Sequence, residues 1–270
     1  MTPLVSLAST ALACAALLAG RGGAVPTVQD APVQLSPRSA VFEVGVERLT
    51  NPEFDLYVLA QSWQPQFCAG KQAVYPGCSV PRPFWRSHFT LHGLWPELEN
   101  GSPPSFCAGE PFDASKVEQA VGLDTLMEYW PDVKVQDGSP EYADFWKHEW
   151  TRHGTCSGLS QPEFFLAAVG LERNDSLAPT PQLVQDNVGK QVSTAALRAA
   201  FAIKADGNTD GSMGGAVLKC VHGDALSQVF TCWAKDERHA PISRRACPQH
   251  VIREDTCFKR SVRIAAFPSA

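Results

Sequence analysis

Phe145-Trp146-Lys147-His148-Glu149-Trp150-Thr151-Arg152-His153-Gly154-Thr155-Cys156 crowds two imidazoles, a carboxylate and a guanidinium into six consecutive positions, flanks them with tryptophans and ends on a cysteine. With about 100° of rotation per residue, a helix here carries His148, Arg152, Glu149 and His153 at roughly 0°, 40°, 100° and 140°, all on one arc. Glu149 is three residues from Arg152 and four from His153, spacings at which helical side chains meet. A zinc protease motif requires histidines four apart. Here they are five apart, which swings the second imidazole away from the first and argues against a metal centre. A capped surface helix with ordinary ion pairs is the bland alternative.

Upstream, Phe89-Thr90-Leu91-His92-Gly93-Leu94-Trp95-Pro96 sets a further histidine among apolar residues. The two stretches together resemble the ribonuclease T2 family, whose active-site segments read HGLWP and, in one common form, HEWxKHGTC. The resemblance runs from about Phe54 to Phe267. The opening Phe54 to Cys68 stretch is similar to the first strand of these enzymes, particularly their bacterial branch.

The chain has 270 residues, 44% hydrophobic and 19% charged, enough for one globular domain with a sizeable core. An uncharged apolar run from Leu4 to Ala19, followed by small residues up to Ala24, reads as a signal peptide over residues 1–24, with a retained membrane anchor as the alternative. Residues 25–52, marked by Pro26, Pro32, Pro37 and Pro52, read as an extended lead-in to a domain over 53–270. Nine cysteines become eight if Cys14 leaves with the signal, and an even count in an exported chain implies disulfides. The resemblance implies the pairing Cys68–Cys78, Cys107–Cys156, and Cys220–Cys257 nested around Cys232–Cys247. The second of these ties the segment after His92 to the end of the His153 helix, a closure that contributes about 4 kcal/mol by loop entropy.

The formal charge is −5. Nonspecific nucleic-acid binders are normally basic, so attraction for a polyanion must be local here, from Arg152, Lys147 and protonated histidines.

Phe54 to Trp63 reads as a buried strand, Cys68 to His88 as a Gly- and Pro-rich loop, and Ser87 to Leu94 as a second strand with His88, Thr90 and His92 on one face. His88 is the bystander of that face. Val117 to Trp130 has helical spacing up to Pro131. Ser139-Pro140 opens the helix of the active segment and Gly154 closes it, which puts His153 where the helix dipole favours an imidazolium. Phe164 to Leu171, Pro181 to Val188 and Thr194 to Ile203 read as shorter helices, and Leu218 to Val221 and Gln228 to Trp233 as strands. Asn208 to Gly215 is a simple turn, and Asn100-Gly101-Ser102 and Asn174-Asp175-Ser176 are glycosylation sequons. Taken with these elements, the resemblance implies an α+β fold: an antiparallel β-sheet core packed against several α-helices and stapled by disulfides.

Cleaving RNA without a metal or cofactor requires a base for the 2′-OH proton, an acid for the leaving 5′ oxygen, and positive charge at phosphorus. Two histidines on separate elements meet the first two needs, because their ordinary pKa keeps both protonation states available. Carried over position by position, the resemblance implies His153 as general base, His92 as general acid, Glu149 and Arg152 as transition-state stabilisers, and His148 as a phosphate holder. The family usually has lysine where this chain has Arg152. Trp95 and Glu97 fall at the first base site and Phe145 at the second, though core packing is an equal reading for Trp95 and Phe145. The second stacking aromatic of the first base site has no match, Pro103 standing there. The product implied is a 2′,3′-cyclic phosphate, then a 3′-phosphate, with low base specificity. DNA lacks the nucleophile and is not cleaved. The expectation is a secreted or periplasmic monomeric endoribonuclease with no membrane association after signal removal. The rival is a catalytically weak secreted binding or signalling protein on the same scaffold.

Overall fold

The computed structural model describes residues 53–174, 177–203 and 215–268. The signal peptide, the lead-in and Cys14 lie outside the described residues, as do most of the Asn208 to Gly215 turn and the last two positions of the Asn174 sequon.

The fold is α+β. Strands β1 (Leu56–Ser62), β2 (Thr90–Glu97), β3 (Gln191–Ser193), β4 (Val217–Val221), β5 (Ala225–Lys235), β6 (Pro241–Arg245) and β7 (Ser261–Arg263) form one sheet ordered β2-β1-β5-β7-β3, with β4 and β6 also on β5. The strands run antiparallel except for one parallel contact, Ala225 opposite Arg263. Successive side chains of a strand point to opposite faces, and β1 is buried on both. Tyr57 and Leu59 pack with Trp146, Trp150 and Phe164 on the helical side, while Leu56, Val58 and Ala60 pack with Phe230, Cys232 and Val251 on the other. This double burial anchors the strand against which both halves of the site are built.

The four disulfides pair as the resemblance implied. Beside Cys107–Cys156, the Phe106 N–H donates to the Arg152 carbonyl (2.9 Å), a second tie between this loop and the helix end.

Several element boundaries differ from the sequence reading. Val117 to Trp130 is two helices, Ala114–Val121 and Leu123–Tyr129, because Gly122 adopts φ +92°, a conformation that breaks the helix and that other residues rarely take. The Cys68 to His88 segment holds a helical turn at Pro76–Ser79 and a 3-10 turn at Phe84–Arg86. There Gly77 is indispensable, since a Cβ would lie 2.8 Å from the Val133 Cα. The helix expected from Phe164 begins earlier, at Gln161, and runs to Arg173, because Ser160 and Glu163 form a reciprocal capping box at its start. The two helices that follow are shorter than expected, at Gln182–Gln185 and Thr194–Ala200.

Candidate active site

The active segment opens as expected: Ser139 caps a 3-10 turn at Pro140–Tyr142, which leads into the helix Ala143–Arg152, with His153 as its C-cap. Gly154 follows for a packing reason and not for a left-handed turn. A Cβ there would strike the Trp150 ring. The four polar residues do not share one environment. His148 and Arg152 are exposed, His153 is half-buried, and Glu149 is only 1% exposed because it turns inward toward β2.

On β2 the expected alternation fails at its most important residue. Pairing with β1 passes from Gly93 opposite Ala60 directly to Leu91 opposite Gln61, which leaves His92 as the extra residue of a bulge. Such bulges re-aim side chains. Thr90 is accordingly buried and receives a hydrogen bond from Gln64 Nε2 (2.9 Å), while His88 stacks on Phe84 with ring centroids 4.4 Å apart. The bulge is pinned by Trp130 Nε1, which donates to the His92 carbonyl at 2.9 Å.

The rings then converge. Trp95 Nε1 donates to Glu149 Oε2 (2.9 Å), and Glu149 Oε1 lies 3.8 Å from His92 Nε2. The Trp95 ring lies 5.2 Å from the His92 ring and 5.2 Å from the His153 ring, stacking on the latter. Gly93 permits this closure, since a Cβ there would collide with the Glu149 carboxylate and the Trp95 indole. Phe145 flanks His92 at 5.8 Å.

Burial governs the charge states. It pushes the Glu149 carboxyl up to about 8, against the hydrogen bond from Trp95 and the nearby Arg152 charge. It lowers His92 to about 4, helped by His148 and Lys134, and lowers His153 to about 3, helped by Arg152, His148 and His92. The expected preference of the helix end for an imidazolium is thus outweighed by desolvation and neighbouring cations.

Gln228 on β5 carries no intrinsic chemistry and was not singled out by sequence. Its Nε2 lies 2.8 Å from His92 Nδ1. Donating there, it leaves the neutral imidazole's proton on Nε2, the nitrogen that faces Glu149. The only sequence signal for this role is its place on a strand that pairs with β1, opposite Ser62. Glu97 is placed differently from its sequence neighbour Trp95: its Oε1 accepts from the Leu98 N–H (2.9 Å) and lies 3.2 Å from His250 Nε2. Trp95 and Phe145 each pack partly against core clusters and also lie beside the imidazoles. A cleft of about 500 Å³ opens over His92, with Phe145, His148, Gln228, Asp132 and Lys134 among its walls. Among the described residues no group of three or more His, Cys, Asp or Glu side chains is arranged to hold a metal ion.

The disulfide-stapled α+β fold thus brings two imidazoles, a buried carboxyl and an indole together beside an open cleft. The chain belongs to the ribonuclease T2 family, whose model matches residues 54–243. It is similar to ribonuclease 1 of Arabidopsis thaliana, 35% identical over 132 residues covering 47% of this chain and 54% of that protein. It is also similar to a ribonuclease of Aeromonas hydrophila, 37% identical over 121 residues covering 45% of this chain and 46% of that protein. The chain spans about half the length of the curated relatives it matches. Among solved structures, ribonuclease MC1 from bitter gourd seeds aligns with a TM-score of 0.52 at 25% identity, covering 78% of this chain and 100% of that one. Both plant and bacterial relatives appear, so the match singles out no bacterial branch.

Proposed function

We propose that this protein is an endoribonuclease that cleaves single-stranded RNA by transesterification, without a metal, at low base specificity. The observation that carries the reading is the meeting of His92 and His153, from separate elements, at the one Trp95 indole beside Glu149. His153 takes the 2′-OH proton, O2′ bonds to phosphorus, and the bond from phosphorus to O5′ breaks as the His92 imidazolium delivers its Nε2 proton to the departing oxygen, leaving a neutral ring protonated on Nδ1. The product is a 2′,3′-cyclic phosphate. In the slower second step His92 takes a proton from water, the oxygen adds to phosphorus, and the bond from phosphorus to O2′ breaks as His153 returns a proton to O2′, leaving a 3′-phosphate. Arg152 and Glu149 stabilise the crowded phosphorus, and His148, at the rim, holds the phosphate. Trp95, Phe145 and, more remotely, Glu97 contact bases.

The protein is a secreted or periplasmic monomer released from a signal peptide over residues 1–24, and the four disulfides support the oxidising location.

Digesting a defined RNA in EDTA and identifying the ends by mass tests the reading. Cyclic phosphates that convert to 3′-phosphates are expected, with a single 2′-deoxy substitution blocking only its own site. Ends bearing 5′-phosphates, cleavage of DNA, or loss of activity in EDTA would contradict it. Binding without cleavage would favour the rival, a scaffold that has lost catalysis.

A further inference from the structure

The catalytic cleft does not end at Gln228. A second hollow of about 270 Å³ adjoins it, lined by Gln66, Lys71, Val221 and Ser227, and shares Ser62, Phe67 and Gln228 with the first. The two are lobes of one groove divided by a ridge at Phe67, and the second begins one side chain away from the His92 imidazole.

We propose that the second lobe is a binding site for a further nucleotide of an RNA strand, the second one on the 3′ side of the scissile phosphate, with Lys71 engaging the phosphate that leads into it. The inference rests on the ribonuclease reading, which also supplies its polarity. The first lobe is lined by His92 and not by His153. His92 is the group that protonates the departing O5′, so this lobe receives the leaving nucleoside, and a strand continuing past it runs 3′-ward over Phe67.

The ridge has the chemistry such a crossing demands. Lys71 Nζ lies 3.9 Å from the Phe67 ring centroid and 6.0 Å from that of Tyr75, and Lys134 Nζ lies 5.9 Å from Phe67. Phe67 and Tyr75 are nearly parallel, 15° apart, with centroids separated by 6.0 Å. Lys71 makes no ion pair among the described residues, in a chain whose formal charge is −5. The carboxylates of the groove, Asp132 and Asp144, line the first lobe and not the second. In the second lobe Val221, 40% exposed, offers an apolar surface to a base, and the side-chain oxygen of Gln66 is buried without a hydrogen-bond partner. A cation on an aromatic ridge between two hollows suits a strand whose bases enter the hollows and whose phosphate crosses the ridge. It also gives an acidic protein a local means of attracting a polyanion.

The test compares a dinucleotide with a trinucleotide carrying one extra nucleotide at the 3′ end, the middle nucleotide being 2′-deoxy so that both substrates are cut at the same bond. Wild type is expected to cleave the trinucleotide with a kcat/KM about threefold to tenfold higher, the range of one charge-assisted phosphate contact. Lys71→Ala should abolish that advantage, and Lys71→Glu should turn it into a disadvantage, while both leave dinucleotide cleavage unchanged and so report an intact fold. Lys71→Ala should also flatten the log–log salt dependence for the trinucleotide by about 0.7, the contribution of one phosphate on a single strand. Equal cleavage of both substrates by wild type, or equal losses on both in the Lys71 variants, would overturn the second lobe while leaving the ribonuclease reading intact. A wild type inert on the dinucleotide as well would overturn both, and is recognised by that.

Discussion

Two carboxyls in this molecule are alike in burial and opposite in surroundings. Glu149, on the active-segment helix, and Glu172, near the end of Gln161–Arg173, are each pushed up to about 8 by desolvation. Among the described residues Glu172 accepts one hydrogen bond, from Gln61 Nε2 at 2.8 Å, and the same amide also donates to the Ala178 carbonyl. Its polar contacts end in the core. Glu149 accepts from Trp95, faces His92 across 3.8 Å, and sits within the field of Arg152. A displaced pKa is therefore no signature of a site in this fold. What separates the two is the company of other titratable groups and a cleft that can admit a phosphate.

The sharpest way to break that contrast is to replace each carboxyl by an amide of the same shape. Glu149→Gln is expected to lower kcat/KM on RNA by about 10² to 10³, the usual loss for one preorganised electrostatic group, whereas Glu172→Gln should leave it within about twofold. Equal losses would show that both act through the core. Next in size is the amide behind His92. Gln228→Leu, which removes the hydrogen-bond partner that orients the imidazole through Nδ1, should cost about tenfold in kcat/KM. Gln228→Glu should raise the His92 pKa, so the alkaline limb of the pH profile, where the general acid loses its proton, moves to higher pH. A profile unmoved by Gln228→Glu would assign this residue to packing alone.

The wild-type profile is itself informative. With His92 lowered to about 4 and His153 to about 3, an acid that must be protonated and a base that must be neutral coexist best at acid pH. The maximum of kcat/KM should lie well below 6.5, and a flat profile between pH 4 and 8 would contradict paired imidazoles. For Glu172 the readout is stability. Its folded pKa is raised from 4.5 to about 8, so its contribution is fully present below 4.5 and is lost as pH rises toward 8. Glu172→Gln should remove that loss, flattening the unfolding free energy against pH by up to about 1.4 kcal/mol per pH unit in this window. Smallest of all, Arg152→Lys should change kcat/KM by no more than about threefold, since the charge is kept and only the fork geometry is lost.

Much of this candidate site is legible in sequence because its titratable residues sit in two compact stretches whose apolar neighbours reveal the elements carrying them. Trp146 and Trp150 mark the buried face of the helix, whereas the close approach of Glu149 and Trp95 at Gly93 is supplied by the fold alone. The bulge was not legible. Alternation along Ser87 to Leu94 is a local rule, whereas the slip at His92 is imposed by pairing with Ala60 and Gln61. Gln228 was hidden for a similar reason: an amide acquires a role only from the ring it meets, and that ring is far away in the chain. The acid shift of His153 is not legible in sequence because the helix dipole is a local feature, while the burial that overrides it belongs to the assembled fold. Glu149 was placed on a polar arc by its helical angle, and tertiary packing with Trp95 turned it inward.

The account depends above all on His92 and His153 acting as one unit on one phosphate. The direct measurement is a double-mutant cycle for RNA cleavage with His92→Ala, His153→Ala and the combined variant. Each single variant is predicted to lose about 10³-fold or more in kcat, and the double variant scarcely more than either. Losses that multiply, or a single variant that retains near wild-type activity, would contradict it.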